Sequence, residues 1–143
     1  MIISSYTGGI PDEVQAEILT LAELCGVKKD YNSDYDLVYL WLVDGKIVAA
    51  ITFYLQLFSN GEVIPKWMHT FYDPKVRTTK GAYAFLKEVL QILAKDYSRV
   101  CAYVRPKEDF MRIYALRVGF VPYSNDADGT YLVLNFTRNE VSP

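Results

Sequence analysis

The chain has 143 residues, of which 51% are hydrophobic and 15% aromatic, enough apolar material for the core of one ordinary domain. Its formal net charge of −2 lacks the basic excess needed to neutralise a polynucleotide backbone, which argues against a nucleic-acid partner. Two distant cysteines, Cys25 and Cys101, without metal-ligand spacing, and the lack of a basic leader or a run of roughly 20 apolar residues, point to a metal-free, cytoplasmic protein without a membrane span.

A short first strand opens the chain. The segment Gly8-Gly9-Ile10-Pro11-Asp12-Glu13 then supplies a turn and a helix start, with proline in the first turn and acids at the positive end of the helix dipole. Val14, Ile18, Leu21, Ala22 and Cys25 recur at helical spacing, and Gly26 suits a left-handed cap. From Leu37 to Tyr72 the period becomes that of strands, with tight-turn signals at Asp44-Gly45 and Asn60-Gly61. This predicts an antiparallel meander of Leu37–Val43, Lys46–Phe58 and Glu62–Tyr72, with a bend or bulge in the long middle strand.

Helical period returns over Arg77–Tyr97, where Ala82, Phe85, Leu86, Val89, Leu90 and Leu93 form one apolar stripe. Ser98–Val104 reads as a buried strand. Pro106 opens a further helix carrying Phe110, Ile113, Tyr114 and Leu116, which Gly119 stops. Two strands, Phe120–Tyr123 and Thr130–Phe136, flank a turn at Asp126-Ala127-Asp128-Gly129. The chain is read as a single domain over residues 1–137 with a short tail over 138–143. Strand, helix, three antiparallel strands, helix, strand, helix and two strands imply a mixed sheet with one parallel crossover.

The segment from Tyr72 to Ala82, Tyr-Asp-Pro-Lys-Val-Arg-Thr-Thr-Lys-Gly-Ala, resembles the acyl-CoA signature of Gcn5-related N-acetyltransferases, a proline after a strand end and then Arg/Gln-x-x-Gly-x-Gly/Ala at a helix start. Tyr72, Pro74, Arg77 and Ala82 fall on the pattern, and Phe110–Phe120 is similar to the family's late helix ending in Gly-Phe. The resemblance implies an α/β fold with a mostly antiparallel twisted sheet of about seven strands and helices on both faces. It also implies acetyl-CoA as co-substrate, an amine of a small molecule or protein as acceptor, and a homodimer as one open state. Pantetheine would run along Phe71 and Tyr72 where two strands splay, and Arg77, Thr78, Thr79, Lys80, Gly81 and Ala82 would hold the pyrophosphate. A helix N-terminus suits that anion, and small residues let it approach the backbone. Lys75, Arg77 and Lys80 add local positive charge.

Two positions depart from the pattern: Lys80 stands in the first glycine slot, and Ala115 stands where the family's tyrosine sits, with Tyr114 beside it. Amine acetylation needs a base for the amine proton and an acid for the departing thiolate. His69, the only histidine, is the candidate base and Tyr114 the candidate acid, each against the alternative of a packed structural side chain. Asp36, Glu62 and Asp73 are the alternative carboxylates. Tyr31, Tyr35, Tyr39, Trp41, Tyr54 and Trp67 read mainly as packing residues. A second reading is a catalytically degenerate binding or structural module of the same fold, of the small divergent kind found among viral proteins. A third is an unrelated α/β protein with the same element order. The first reading fails if Lys80 or Tyr83 plugs the entrance, or if the strands stay zipped beyond Tyr72.

Overall fold

The computed structural model describes residues 1–26, 35–77, 79–106 and 109–136, with only the backbone of residues 109–111. Its elements are β1 (Ile2–Thr7), α1 (Asp12–Leu24), β2 (Leu37–Val43), β3 (Lys46–Leu57), β4 (Val63–Tyr72), α2 (Lys80–Leu93), β5 (Arg99–Val104), α3 (Asp109–Arg117), β6 (Val121–Asn125) and β7 (Thr130–Asn135). The strands form one sheet in the order β1-β2-β3-β4-β5-β7-β6, and the only parallel pair in it is β4 with β5. This is the mixed, mostly antiparallel seven-stranded sheet that the element order implied.

Turn chemistry sets the meander. Asp44 and Gly45 both hold positive φ, 52° and 76°, as a two-residue hairpin requires. The wider turn before β4 closes through Phe58 N–H to the Glu62 carbonyl (2.9 Å), while Asn60 Oδ1 accepts the Glu62 N–H (2.9 Å). The hairpin β6–β7 closes on Asp126, whose Oδ1 accepts the N–H groups of Asp128 and Gly129.

Packing gives each face its own core. On one face the whole predicted stripe of α2 is buried, together with Ile51, Phe53, Trp67, Val100 and the inner side of α3. On the other, Ile18, Leu21 and Ala22 of α1 cover Val38, Leu40, Ala50 and Phe71. Helices therefore lie on both faces.

Two helix boundaries and one helix face differ from expectation. α2 begins at Lys80, not Arg77, because the Thr79 hydroxyl donates to the Val76 carbonyl (2.7 Å) and accepts the Ala82 N–H (3.4 Å), an N-cap arrangement. It ends at Leu93, beyond which Lys95 and Asp96 donate to carbonyls three residues back, a tighter turn than α. α3, described from Asp109, buries Tyr114 and Ala115 while Ile113 and Leu116 are exposed. The rings of Tyr72 and Tyr83 lie 6.2 and 6.3 Å from that of Tyr114 and draw this side inward. Positions 113 and 116 sit about 100° and 200° away around the helix and so turn out.

Bulges bend the central strands. Val48 is the extra residue of β3 opposite Trp41 and Leu42, and Met68 is the extra residue of β4 opposite Thr52 and Phe53. The second matters most for function. A bulge increases local twist and re-aims side chains, and β4 leaves β5 at this point.

Candidate functional site

Among the described residues β4 and β5 are paired at Lys66 with Cys101 and Trp67 with Ala102 and nowhere else. Below that joint, Glu62 ties the two strands together, accepting from the Ser98 hydroxyl and from Arg99 Nη2 at 2.6 Å. Above it the strands part: among the described residues His69–Tyr72 pairs with β3 and Met68–Tyr72 makes no pair with β5, and this parting is the gap. Backbone groups alternate sides along a strand. The Asp73 N–H points to Val48 of β3 (2.8 Å), and the His69 N–H meets the Thr52 hydroxyl of the same strand (3.2 Å). The peptide groups of Thr70 and Tyr72 therefore face the gap. There the Tyr72 carbonyl accepts the Cys25 thiol at 3.1 Å.

The loop Asp73–Thr79 and the first turn of α2 stand at the open end. First-turn amides have no acceptor within their helix, and Thr79 takes only that of Ala82. Lys75 and Lys80 are exposed and Arg77 is half-buried, so positive charge surrounds this helix start. Thr78 lies outside the described residues. The small residues behave differently from expectation: a Cβ on Gly81 would lie 2.6 Å from Trp41 Cη2, and Ala82 is fully buried against the sheet. Their size serves the close approach of α2 to the sheet. The Tyr83 hydroxyl reaches the Arg117 carbonyl at the end of α3 (3.5 Å).

The catalytic candidates flank the gap from opposite faces. The bulge puts His69 on the α1 face, where its ring stacks on Phe71 (5.6 Å, 13°) and meets the edge of Tyr35 (5.9 Å). Burial, and then the positive charge of Arg105 beyond β5, hold the imidazole below its ordinary pKa and favour the neutral ring. Phe71 is buried on this side. Tyr114 approaches from the α2–α3 face, its O–H donating to the Arg77 carbonyl at 2.8 Å and so bracing the loop. Ala115, in the slot of the family's tyrosine, is buried.

One contribution could not be read from the motif. The Tyr72 side chain reaches under α2 and donates to the Ala82 carbonyl (3.0 Å); burial, and then Tyr114, push its phenol well above the usual range. Tyr72, Tyr83 and Tyr114 thus form an aromatic layer beneath the loop. Only the apolar strand-end position hinted at the first of them. The alternative carboxylates are spent on structure: Asp36 accepts the Leu55 N–H, Asp73 the Lys75 N–H, and Glu62 latches β5. Tyr35, Tyr39 and Trp67 are buried and Trp41 and Tyr54 half-buried, whereas Tyr31 lies outside the described residues. Among the described residues no group of His, Cys, Asp and Glu gathers as metal ligands, and no helix is long and apolar enough to cross a membrane.

No protein-family model matches the sequence, and no curated protein matches it. Solved structures do match. Campylobacter jejuni N-acetyltransferase PseH, in complex with acetyl coenzyme A, superposes with a TM-score of 0.67 at 14% identity, over 95% of this chain and 100% of that one. Arabidopsis thaliana Naa50, in complex with the bisubstrate analogue CoA-Ac-MVNAL, gives 0.70 at 17% identity, over 94% and 99%. An acetyltransferase of the GNAT family from Streptococcus pneumoniae gives 0.68 at 12%, over 94% and 98%. At such identities the likeness is one of architecture, and it covers nearly the whole of each chain: the protein has the fold of the Gcn5-related N-acetyltransferases.

Proposed function

We propose that the protein is an N-acetyltransferase that moves an acetyl group from acetyl-CoA to an amine of a small molecule or protein. The observation that carries this reading is the two-residue joint between β4 and β5, beyond which no pair between them is found among the described residues, with a helix N-terminus following the end of β4. A thioester chain would pass through the gap along the Phe71–Tyr72 backbone. The cations of Arg77 and Lys80 and the amides of Lys80 and Gly81 would hold the pyrophosphate, beside Thr78 and Thr79, while the Ala82 N–H stays with the Thr79 hydroxyl. The N-acetyltransferase complexes with acetyl coenzyme A and with a CoA bisubstrate analogue support the choice of co-substrate.

In the reaction the amine nitrogen attacks the thioester carbonyl carbon, the C–S bond breaks and sulfur leaves as thiolate. His69 takes the amine proton, directly or through water, and its lowered pKa keeps it ready as a base at neutral pH. Tyr114 is the candidate proton donor to the thiolate. In the resting structure its O–H is held by Arg77, so donation requires that bond to be exchanged. Positioning of the two substrates supplies much of the remaining rate. Cys25 and Cys101, as free thiols, support a cytoplasmic setting, and β6, exposed along its length, is the edge through which a homodimer would form.

The test is a thermal melt with acetyl-CoA, followed by transfer of labelled acetyl to a panel of amines. At 100 times its Kd a ligand specific to the folded state stabilises by about 2.7 kcal/mol, so the melt should shift clearly, and His69→Gln should lower turnover by about 10²–10⁴. A melt shift without turnover on any amine class would replace the enzyme by a binding module, the reading that Ala115 and the Trp41-filled space at Gly81 favour. No shift with millimolar acetyl-CoA would remove the cofactor role altogether.

A further inference from the structure

A second concavity lies on the α2–α3 face and runs from the first turn of α2 toward its C-terminal end. It is a groove of about 590 Å³ that follows one side of α2 from Tyr83 to Ala94 and is walled by the ends of α3 and β7. With a rise of 1.5 Å per residue, that wall is about 16 Å long. Its far end is marked by Asn135, which pairs with Arg99, the first residue of β5, next to the Glu62 latch. The groove therefore reaches toward the closed end of the β4–β5 joint, opposite to the helix start that faces acetyl-CoA in the reading above.

Its lining has two characters. Leu90, Leu134 and Phe136 form an apolar floor, while Lys87, Lys95 and Arg117 stand along the rim. None of these three cations enters an ion pair among the described residues, where the pair found is Arg99 with Glu62. Lys87 Nζ and the Arg117 guanidinium both lie over the Tyr83 ring, 5.6 and 5.8 Å from its centroid. Both cations thus contact one aromatic ring, with no acid among the lining residues, in a chain whose net charge is −2. An anion in the groove would meet these cations with no lining carboxylate to oppose it. The volume falls within the range of small-molecule sites, where an apolar lining and a few convergent polar groups set the ligand class.

We propose that this groove binds an amphiphilic organic anion, an aliphatic chain lying on the Leu90–Leu134–Phe136 floor with a carboxylate held by Lys87 and Arg117. The site is independent of acetyl transfer and does not rest on it. Titration calorimetry with decanoate, below its micelle concentration, on the full chain should give one site per molecule, and the neutral decanamide should bind at least tenfold more weakly. The double variant Lys87→Glu, Arg117→Glu should lose at least tenfold in decanoate affinity while keeping the parent's melting temperature and its melt shift with acetyl-CoA. Equal binding of decanoate and decanamide, or unchanged affinity in a folded double variant, would overturn the proposal. Competition between decanoate and acetyl-CoA would overturn it too, because the groove would then be an arm of the other site.

Discussion

The two halves of the sheet are built on different principles. β1 to β4 pair along nearly their whole lengths, each strand a hairpin or meander neighbour of the next, apart from the crossing from β1 through α1. β5, β7 and β6 form an equally well paired second half. Between them stand two residue pairs and one ion pair. Backbone hydrogen bonds thus hold each half, but side chains hold the halves together: Trp67 of β4 against Phe120 (5.7 Å), Tyr72 against Tyr114 of α3, and the buried stripe of α2 across both. A sheet can carry an opening at its centre if a helix layer bridges it.

That division can be broken most directly at Phe85, fully buried beneath both Trp41 (6.2 Å) and Tyr72 (6.3 Å). Phe85→Ala should cost about 3–5 kcal/mol, read from urea unfolding, by loosening α2 from β2 and β4; a loss below about 1 kcal/mol would show that this ring does not anchor the helix layer to the first half. Gly81→Ala comes next. Alanine ordinarily gains about 1 kcal/mol over glycine in a helix, but overpacking against the Trp41 ring costs about 1–3 kcal/mol, so a net loss in thermal stability is expected, relieved when Trp41→Leu is added. Tyr114→Phe removes one hydrogen bond to the loop at the mouth, about 0.5–1.5 kcal/mol; a fall in turnover beyond what reduced acetyl-CoA affinity accounts for would identify it as the acid.

The smallest effect belongs to the closed end of the joint. Hydrogen bonds from Ser98 and then Arg99 hold the Glu62 carboxyl below the usual carboxylate range. A group depressed in the folded state contributes stability above its unfolded pKa and loses it as pH falls through the folded value. Glu62→Gln should therefore lower stability slightly at neutral pH, being a surface pair, and leave acid pH unchanged, which flattens the acid side of the stability–pH curve. A large loss at neutral pH would mean that the latch, and not the helix layer, joins the halves. His69 carries the opposite test of chemistry: its lowered pKa puts the acid limb of a rate–pH profile below about 6.5, and His69→Gln should abolish that limb.

Much of the architecture was determined by local information in the chain. Asp44-Gly45 could only be a tight turn because both positions need positive φ, and the α2 stripe recurs at a spacing that only a helix brings to one side. The strand-end proline and the late Gly-Phe pointed to the mouth of the gap through the family resemblance they carry. Tertiary structure decided the rest, because it depends on what meets across distance. Whether Gly81 serves a phosphate or a tryptophan turns on Trp41, 40 residues away. The partner of the Tyr114 hydroxyl, and the side of α3 that faces inward, turn on Arg77 and Tyr72. The single extra residue at Met68, which sends His69 to the α1 face and parts β4 from β5, exists only as a register between two strands, and no periodicity within either strand records it.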